Sequence, residues 1–239
     1  MKVLVIAAHP DDEILGMGGT IKKYTKSGMK VKIVFMATGI FARRSSNYEN
    51  SPKYQFDNKS KKLAKTQLEK LRHDASSATK IVGVKDIEFL DFPDNEMDLV
   101  SNLQITKKIE EIIKKYNPSI VYTHSPHDIN IDHRILYNAT ITATRPSPST
   151  KVKQVISFEV PSSTEWNFPS AFSPNIFVDI TKELPDKLNA MSKYKDELRK
   201  FPHPRSIEAL EAIAKRWGSV SGYKAAEAFS LVRDLREKI

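Results

Sequence analysis

Short, almost wholly apolar runs alternate along this chain with longer stretches in which apolar residues recur every third or fourth position. KVLVIAA reads as a buried strand ended by HPDD, GMGGTIKKYTKSG as a helix with a glycine-rich first turn, and VKIVFMAT as a second strand, with Gly28 terminating the helix between them. Residues 39–60 are polar and aperiodic, which predicts a long surface loop. Leu63, Leu68, Leu71, Ala75 and Ala78 then share one face of a helix expected over residues 61–81 and ended by Gly83. DIEFLDFPD predicts a third strand and its turn, residues 100–116 an amphipathic helix stopped by Asn117-Pro118, and SIVYT the next strand. Further strands are expected near VISFEV and NIFVDI, and helices over DKLNAMSKYKDELRKF, SIEALEAIAKRWG and YKAAEAFSLVRDLREK.

This alternation sets the fold class as α/β: a Rossmann-like, mostly parallel sheet with right-handed crossovers and helices on both faces. In such a sheet ligands gather at the C-terminal rim of the strands. HPDDE, TG, FPD and HSPHDINIDHR each follow a predicted strand and would share that rim. Residues 1–239 are read as a single domain, with the C-terminal helices from about residue 183 packed as an extension.

Composition narrows the partners. The longest apolar runs are strand-sized, short of the roughly 20 residues of a membrane span. VLVIAA is too short for a secretory leader and passes directly into polar residues, so the expectation is a cytoplasmic protein without integral membrane contact. Cysteine is absent, so any metal must be held by His, Asp or Glu. The net charge of +9 comes from lysines spread beside glutamates on helical faces, as in KKLAKTQLEK and TKKIEEIIKK. That pattern is solvated surface rather than a nucleic-acid stripe, so no nucleic-acid partner is expected. An anionic small-molecule substrate fits the charge, peripheral association with a membrane surface stays open, and the oligomeric state is not legible.

Asp11, Asp12 and Glu13 are adjacent carboxylates beside His9, and they repel one another unless a cation or a proton relieves them. A turn at a strand end can direct His9 and Asp12 to one point while Asp11 points past it, giving two ligands and a nearby base. NIDHR offers His133 at the start of a helix on the same rim. Four of the six histidines, His9, His124, His127 and His133, fall on that rim, whereas His73 and His203 do not. Each residue alone has a plainer use: Asp11, Asp12 or Asp132 as a helix cap, and HSPHD as a turn around Pro126. A joint His/Asp cluster at two strand ends is what a catalytic metal with three protein ligands requires. A metal-free pair of carboxylates acting as general acid and base is the alternative.

The run AHPDDE, followed by GMGG and matched much later by the DH of NIDHR, resembles the LmbE-like (PIG-L) family of zinc-dependent N-acetylglucosamine deacetylases. SIVYT and LDFPD fit the same family, so the resemblance covers most of the first 145 residues, while SFEVPSSTEW and AAEAF resemble a sub-branch. It implies His9, Asp12 and His133 as ligands of one Zn2+ per chain and Asp11 as general base. The implied substrate is a small-molecule N-acetylated amino sugar, free or carried on a nucleotide or lipid. Many members read His-x-Asp-His in the second cluster, where this chain has Asn130, which can hydrogen-bond an oxyanion but cannot transfer a proton. His127 or His124 is then the expected proton donor, His127 being favoured, or Asp11 performs both transfers. Asp132 is expected to orient a neighbouring ligand.

The resemblance also places Asp94 of FPD near the sugar hydroxyls. Arg72 of LRHDA approximates a substrate-reaching arginine, with an unusual spacing to Asp74. Trp166 of PSSTEW suits stacking on a sugar face, with burial in the core as its rival. Arg43 and Arg44 could meet a phosphate from the long loop, and FPHPRS, with His203 and Arg205, reads as a rigid connector approaching the site mouth. Two other classes remain. A nucleotide-binding domain would use GMGG as a phosphate loop, but G-x-G-x-x-G does not follow the strand. A non-catalytic carbohydrate- or metal-binding module would have no need of an uncoordinated Asp11.

Overall fold

Seven strands, β1 (Lys2–Ala7), β2 (Lys30–Ala37), β3 (Asp86–Phe92), β4 (Ile120–His124), β5 (Gln154–Phe158), β6 (Ile176–Asp179) and β7 (Ala226–Asp234), form one sheet in the order β3-β2-β1-β4-β5-β7-β6. The structure is a computed structural model that describes residues 1–39, 58–147, 151–169 and 172–236. The first five strands of that order run parallel, and β7 pairs antiparallel with both β5 and β6. The helices are α1 (Asp12–Lys26), α2 (Asn58–Ile81), α3 (Asn102–Tyr116), α4 (Ile131–Ala143), α5 (Leu184–Met191) and α6 (Ile207–Ser221).

Alternation along β1 builds the two layers. Val3 and Val5 face a core with Ile14 and Ile21 of α1, Ala75 and Ala78 of α2, and Met191 of α5. Leu4 and Ile6 face the opposite core with Ile105 and Ile109 of α3 and Leu136 of α4. Every one of these side chains is fully buried, which is why the parallel strands read as continuous apolar runs. The chain leaves β1 towards β2 on one side and returns through β4 on the other, so the crevice at the strand ends opens between β1 and β4.

Within the helix expected over residues 223–238, residues 226–234 form a strand instead. AEAFSLV is rich in good helix formers, yet it runs as β7 between β5 and β6. Tertiary context overrides the propensity because an interior strand here buries Ala226, Ala228 and Phe229 and brings Glu227 against α1. The helix expected over DKLNAMSKYKDELRKF is only α5, and that over residues 61–81 starts earlier, at Asn58. Arg43 and Arg44 lie outside the described residues.

GMGG is not a phosphate loop. Helix α1 begins at Asp12 and breaks at Met17, whose φ of −150° is non-helical. Glu227 accepts the N–H groups of Gly19 (2.9 Å) and Thr20 (2.6 Å), the donors freed by the break, and Lys187 donates to the carbonyl of Leu15 (2.9 Å) and to Glu227 (2.6 Å). The glycines let neighbouring elements approach: a Cβ on Gly16 would sit 2.4 Å from Phe158 Cδ2 and 2.8 Å from the Glu159 carbonyl. Gly16→Ala should therefore destabilise the protein by about 1–3 kcal/mol through overpacking. Urea denaturation checks this, and an unchanged midpoint would show that the contact yields.

Candidate active site

β1 ends at Ala7, and the turn it feeds carries His9, Asp11 and Asp12, the last already the first residue of α1. The backbone of Asp11 has φ of +119°, a conformation non-glycine residues rarely adopt. Its N–H donates to Glu13 Oε2 (3.0 Å), and Glu13 Oε1 accepts from the Tyr194 hydroxyl (2.6 Å). Burial raises Glu13 to about 7, opposed by those hydrogen bonds. The strained turn is thus fixed by a carboxylate whose own anchor comes from far along the chain.

Asp12 Oδ2 is the centre of the cluster. His9 Nδ1 lies 3.5 Å away, His133 Nε2 3.4 Å and His124 Nε2 3.6 Å, and the His9 backbone N–H donates to it at 2.8 Å. His9 is the most exposed of these side chains, at 11%, against 1% for Asp12 and 2% for His133. The opening of the cluster is therefore on the His9 side.

Each ligand-type imidazole is backed by carboxylates on its other nitrogen. His9 Nε2 lies 3.0 Å from Asp132 Oδ2 and 3.1 Å from Asp94 Oδ1. Asp132 is itself anchored by the N–H groups of Asn95 (2.7 Å) and Met97 (3.1 Å). His133 Nδ1 faces Asp128 Oδ2 at 3.0 Å, and Asp128 accepts from the hydroxyls of Ser163 and Thr164. Burial opposes charging of His133, but Asp12 and Asp128 outweigh it and raise the ring to about 9. Burial alone would raise Asp128, yet His133 and the two hydroxyls bring it down to about 2.

His124 takes no such part. Its Nε2 accepts the Ala8 N–H at 2.8 Å, its ring stacks on His133 at 3.9 Å, and burial together with His133 lowers it to about 3. It is a neutral wall of the cluster. Asn130 caps α4, its Oδ1 accepting the Asp132 N–H (2.9 Å) and its Nδ2 donating to Asn95 Oδ1 (2.9 Å). His127 is exposed, and its ring has no hydrogen bond or ion pair among the described residues. Arg72 pairs with Asp91 and lies over the Phe89 ring, 5.3 Å from its centroid. Trp166 is 43% exposed, so it is not a core residue, and its ring meets His203 edge-on at 5.8 Å.

Three residues without an expected role enter the site. Arg205 of FPHPRS donates to Asp11 Oδ2 (3.0 Å), to Glu197 Oε2 (3.1 Å) and, through Nε, to Ser162 Oγ (2.6 Å). Burial pushes Asp11 up to about 7, against the pull of the Arg205 guanidinium. Asp128 and Tyr194 are the other two. Asp128 carried a sequence signal, a carboxylate beside the rim histidines, and Arg205 lies in the connector expected to approach the site mouth, whereas Tyr194 carried none.

His9, Asp12 and His133 offer two nitrogens and one carboxylate oxygen within 4.8 Å of one another, a donor set suited to a divalent metal. Both ring nitrogens of His133 are buried and lack a well-aligned hydrogen bond among the described residues, with Nε2 facing Asp12 Oδ2 as a co-ligand would. The model of the family described as GlcNAc-PI de-N-acetylase, PIG-L, matches residues 4–144, which hold His9, Asp12 and His133 and the carboxylates beside them. The chain belongs to the PIG-L family.

This PIG-L chain is 30% identical over 237 residues to diacetylchitobiose deacetylase of Thermococcus kodakarensis, covering 97% of this chain and 83% of that protein. It is also 30% identical over 200 residues to an Escherichia coli protein described as an uncharacterized deacetylase, YaiS, covering 81% of this chain and 90% of the relative. Its fold matches N,N'-diacetylchitobiose deacetylase of Pyrococcus horikoshii with a TM-score of 0.73 and 24% identity, over 97% of this chain and 84% of that one. No helix among the described residues is long and apolar enough to cross a membrane.

Proposed function

We propose that the protein hydrolyses the N-acetyl amide of an amino sugar of the N-acetylglucosamine type, or of a conjugate of one, in the cytoplasm, using one zinc ion held by His9, Asp12 and His133. The observation that carries this reading is the division of labour between neighbours. Asp12 Oδ2 is faced by nitrogens of His9, His133 and His124, while Asp11, one residue away, belongs to neither metal-competent group, His9/Asp12/His133 or His9/Asp94/Asp132, and is held by Arg205. A binding module would have no use for that second carboxylate. The diacetylchitobiose deacetylase relative supports the choice of an acetamido sugar.

An amide is a weak electrophile with a poor leaving group, so its hydrolysis needs a Lewis acid, a nucleophile generated near neutral pH and a proton donor. His9, Asp12 and His133 would hold a zinc ion that, when bound, would supply the first of these and lower the pKa of water towards about 7. Asp11 takes a proton from the attacking water, and its protonated form delivers one to the departing amine, leaving acetate and a free amine. Its buried setting suits both steps, because burial stabilises the neutral acid between them. His124 is excluded as donor by its bond from Ala8, and Asn130 is spent on the cap of α4. His127, exposed and unheld, is outside this scheme. Asp132 and Asp128 back the rings of His9 and His133, and Asp94, buried against His9, is the residue assigned to a sugar hydroxyl in this reading. Arg72, paired with Asp91, and the exposed Trp166 are the residues assigned to contact with the rest of the substrate in this reading.

The test is acetate release from N-acetylglucosamine, N,N'-diacetylchitobiose and a nucleotide-linked N-acetylglucosamine. Purified protein, chelator-stripped protein and stripped protein restored with zinc are compared. Release that vanishes on stripping and returns with zinc is expected. Tight zinc binding with no release from any donor would overturn the reading in favour of a binding module.

A further inference from the structure

The base of this site is braced by a residue that neither binds the metal nor belongs to the N-terminal motifs. The Asp11 carboxylate sits on a strained backbone, and its one side-chain partner among the described residues is Arg205. Strain of this kind persists only where the surroundings over-determine it. Glu13 holds the backbone N–H of Asp11 but does not touch its carboxylate. Arg205 therefore sets where that carboxylate points.

Arg205 is itself held on several sides. Nη1 bridges Asp11 and Glu197, Nε donates to Ser162, and its backbone N–H donates to His203 Nδ1 at 3.1 Å. The next residue, Ser206, caps α6 through the Ala209 N–H, which fixes the end of the connector. A planar guanidinium anchored at two edges cannot rotate, whereas a lysine ammonium could satisfy only part of this set. Ser162 adds a second connection. It opens the turn whose next residues, Ser163 and Thr164, hold Asp128 against His133. Glu165 closes the turn by accepting the N–H of Ser162 at 2.6 Å. One turn thus supports both a metal-ligand histidine and, through Arg205, the base.

We propose that Arg205 is a positioning residue for the hydrolysis, fixing the rotamer of Asp11 and tying it to the turn that supports His133. The inference rests on Asp11 acting as the base in the proposed deacetylation. Arg205 touches neither the metal ligands nor the reacting amide, so its loss lowers kcat and spares zinc affinity.

Arg205→Ala and Arg205→Lys should be compared with the unaltered protein for kcat, KM, zinc affinity by chelator competition, thermal midpoint and crystal structure. Misplacement of a reacting group by about 1 Å costs on the order of 100-fold, so kcat of Arg205→Ala should fall by about that factor while KM and zinc affinity hold. Added guanidinium ion should restore part of the loss, which a purely structural defect would not allow. Arg205→Lys should fall between the two, and it serves alone if Arg205→Ala does not fold. Unchanged kcat in either variant, or a loss that follows zinc affinity and is not relieved by guanidinium, overturns the proposal. If the unaltered protein releases no acetate, the deacetylase reading fails and the crystal structures decide. An Asp11 carboxylate turned away in the variant supports the positioning role, and one unmoved refutes it.

Discussion

Asp11→Asn should lower the rate of acetate release by about 10²–10⁴-fold, the usual contribution of a general acid–base, while leaving zinc bound. Asparagine keeps the size of the side chain and an oxygen to accept the Arg205 Nη1 hydrogen bond, but it cannot take up a proton. The control is His9→Ala, which removes one of the three ligands and should lose the metal along with the activity. Measuring zinc content and kcat on both variants separates the two residues that HPDDE places so close together. If Asp11→Asn lost zinc as completely as His9→Ala, Asp11 would be a ligand and the base would have to be sought elsewhere.

The second large effect is on stability. Lys187→Met should destabilise the fold by about 3–5 kcal/mol, because removing one partner leaves the other charge buried and uncompensated. Lys187 and Glu227 expose only 6% and 3% of their side chains. The pair closes the break in α1, Lys187 on the Leu15 carbonyl and Glu227 on the N–H groups of Gly19 and Thr20. At 2–4 °C per kcal/mol for a chain of this size, the thermal midpoint should fall by roughly 6–20 °C. Lys187→Met combined with Glu227→Gln should recover part of the loss, since no lone charge remains and the glutamine oxygen still accepts one of the two α1 N–H groups. A double variant no better than the single would mean that the hydrogen bonds at the break in α1, not the ion pair, carry the effect. The segment of α1 before the break begins with Asp12, so this pair holds the end of the short helical segment that carries that residue.

The β/α alternation of the first half was legible because parallel strands buried on both faces write themselves as continuous apolar runs, and amphipathic helices keep their period. The C-terminal strand was not. Ala, Glu, Leu and Arg in AEAFSLVRD speak for a helix locally, and only the slot between β5 and β6 makes the strand the lower-energy choice. The kink in α1 was hidden for a similar reason: its glycines look like a phosphate turn until Phe158, Ile180 and Glu227 are brought against them.

The candidate site divides along the same line. His9, Asp12 and His133 stand in short motifs, with Asp11 between the first two, because a metal-competent group needs particular donor atoms, and strand ends of a parallel sheet bring such motifs to one rim. Sequence determined the donors and the family. Tertiary structure decided which carboxylate backs which imidazole: Asp132 and Asp94 on His9, Asp128 on His133. It also removed His124 from acid–base work by giving its lone pair to Ala8, and it recruited Arg205 and Tyr194 from the other end of the chain. Hydrogen bonds between groups nearly two hundred residues apart leave no periodic trace in a sequence, because what selects them is the space left once the sheet has closed.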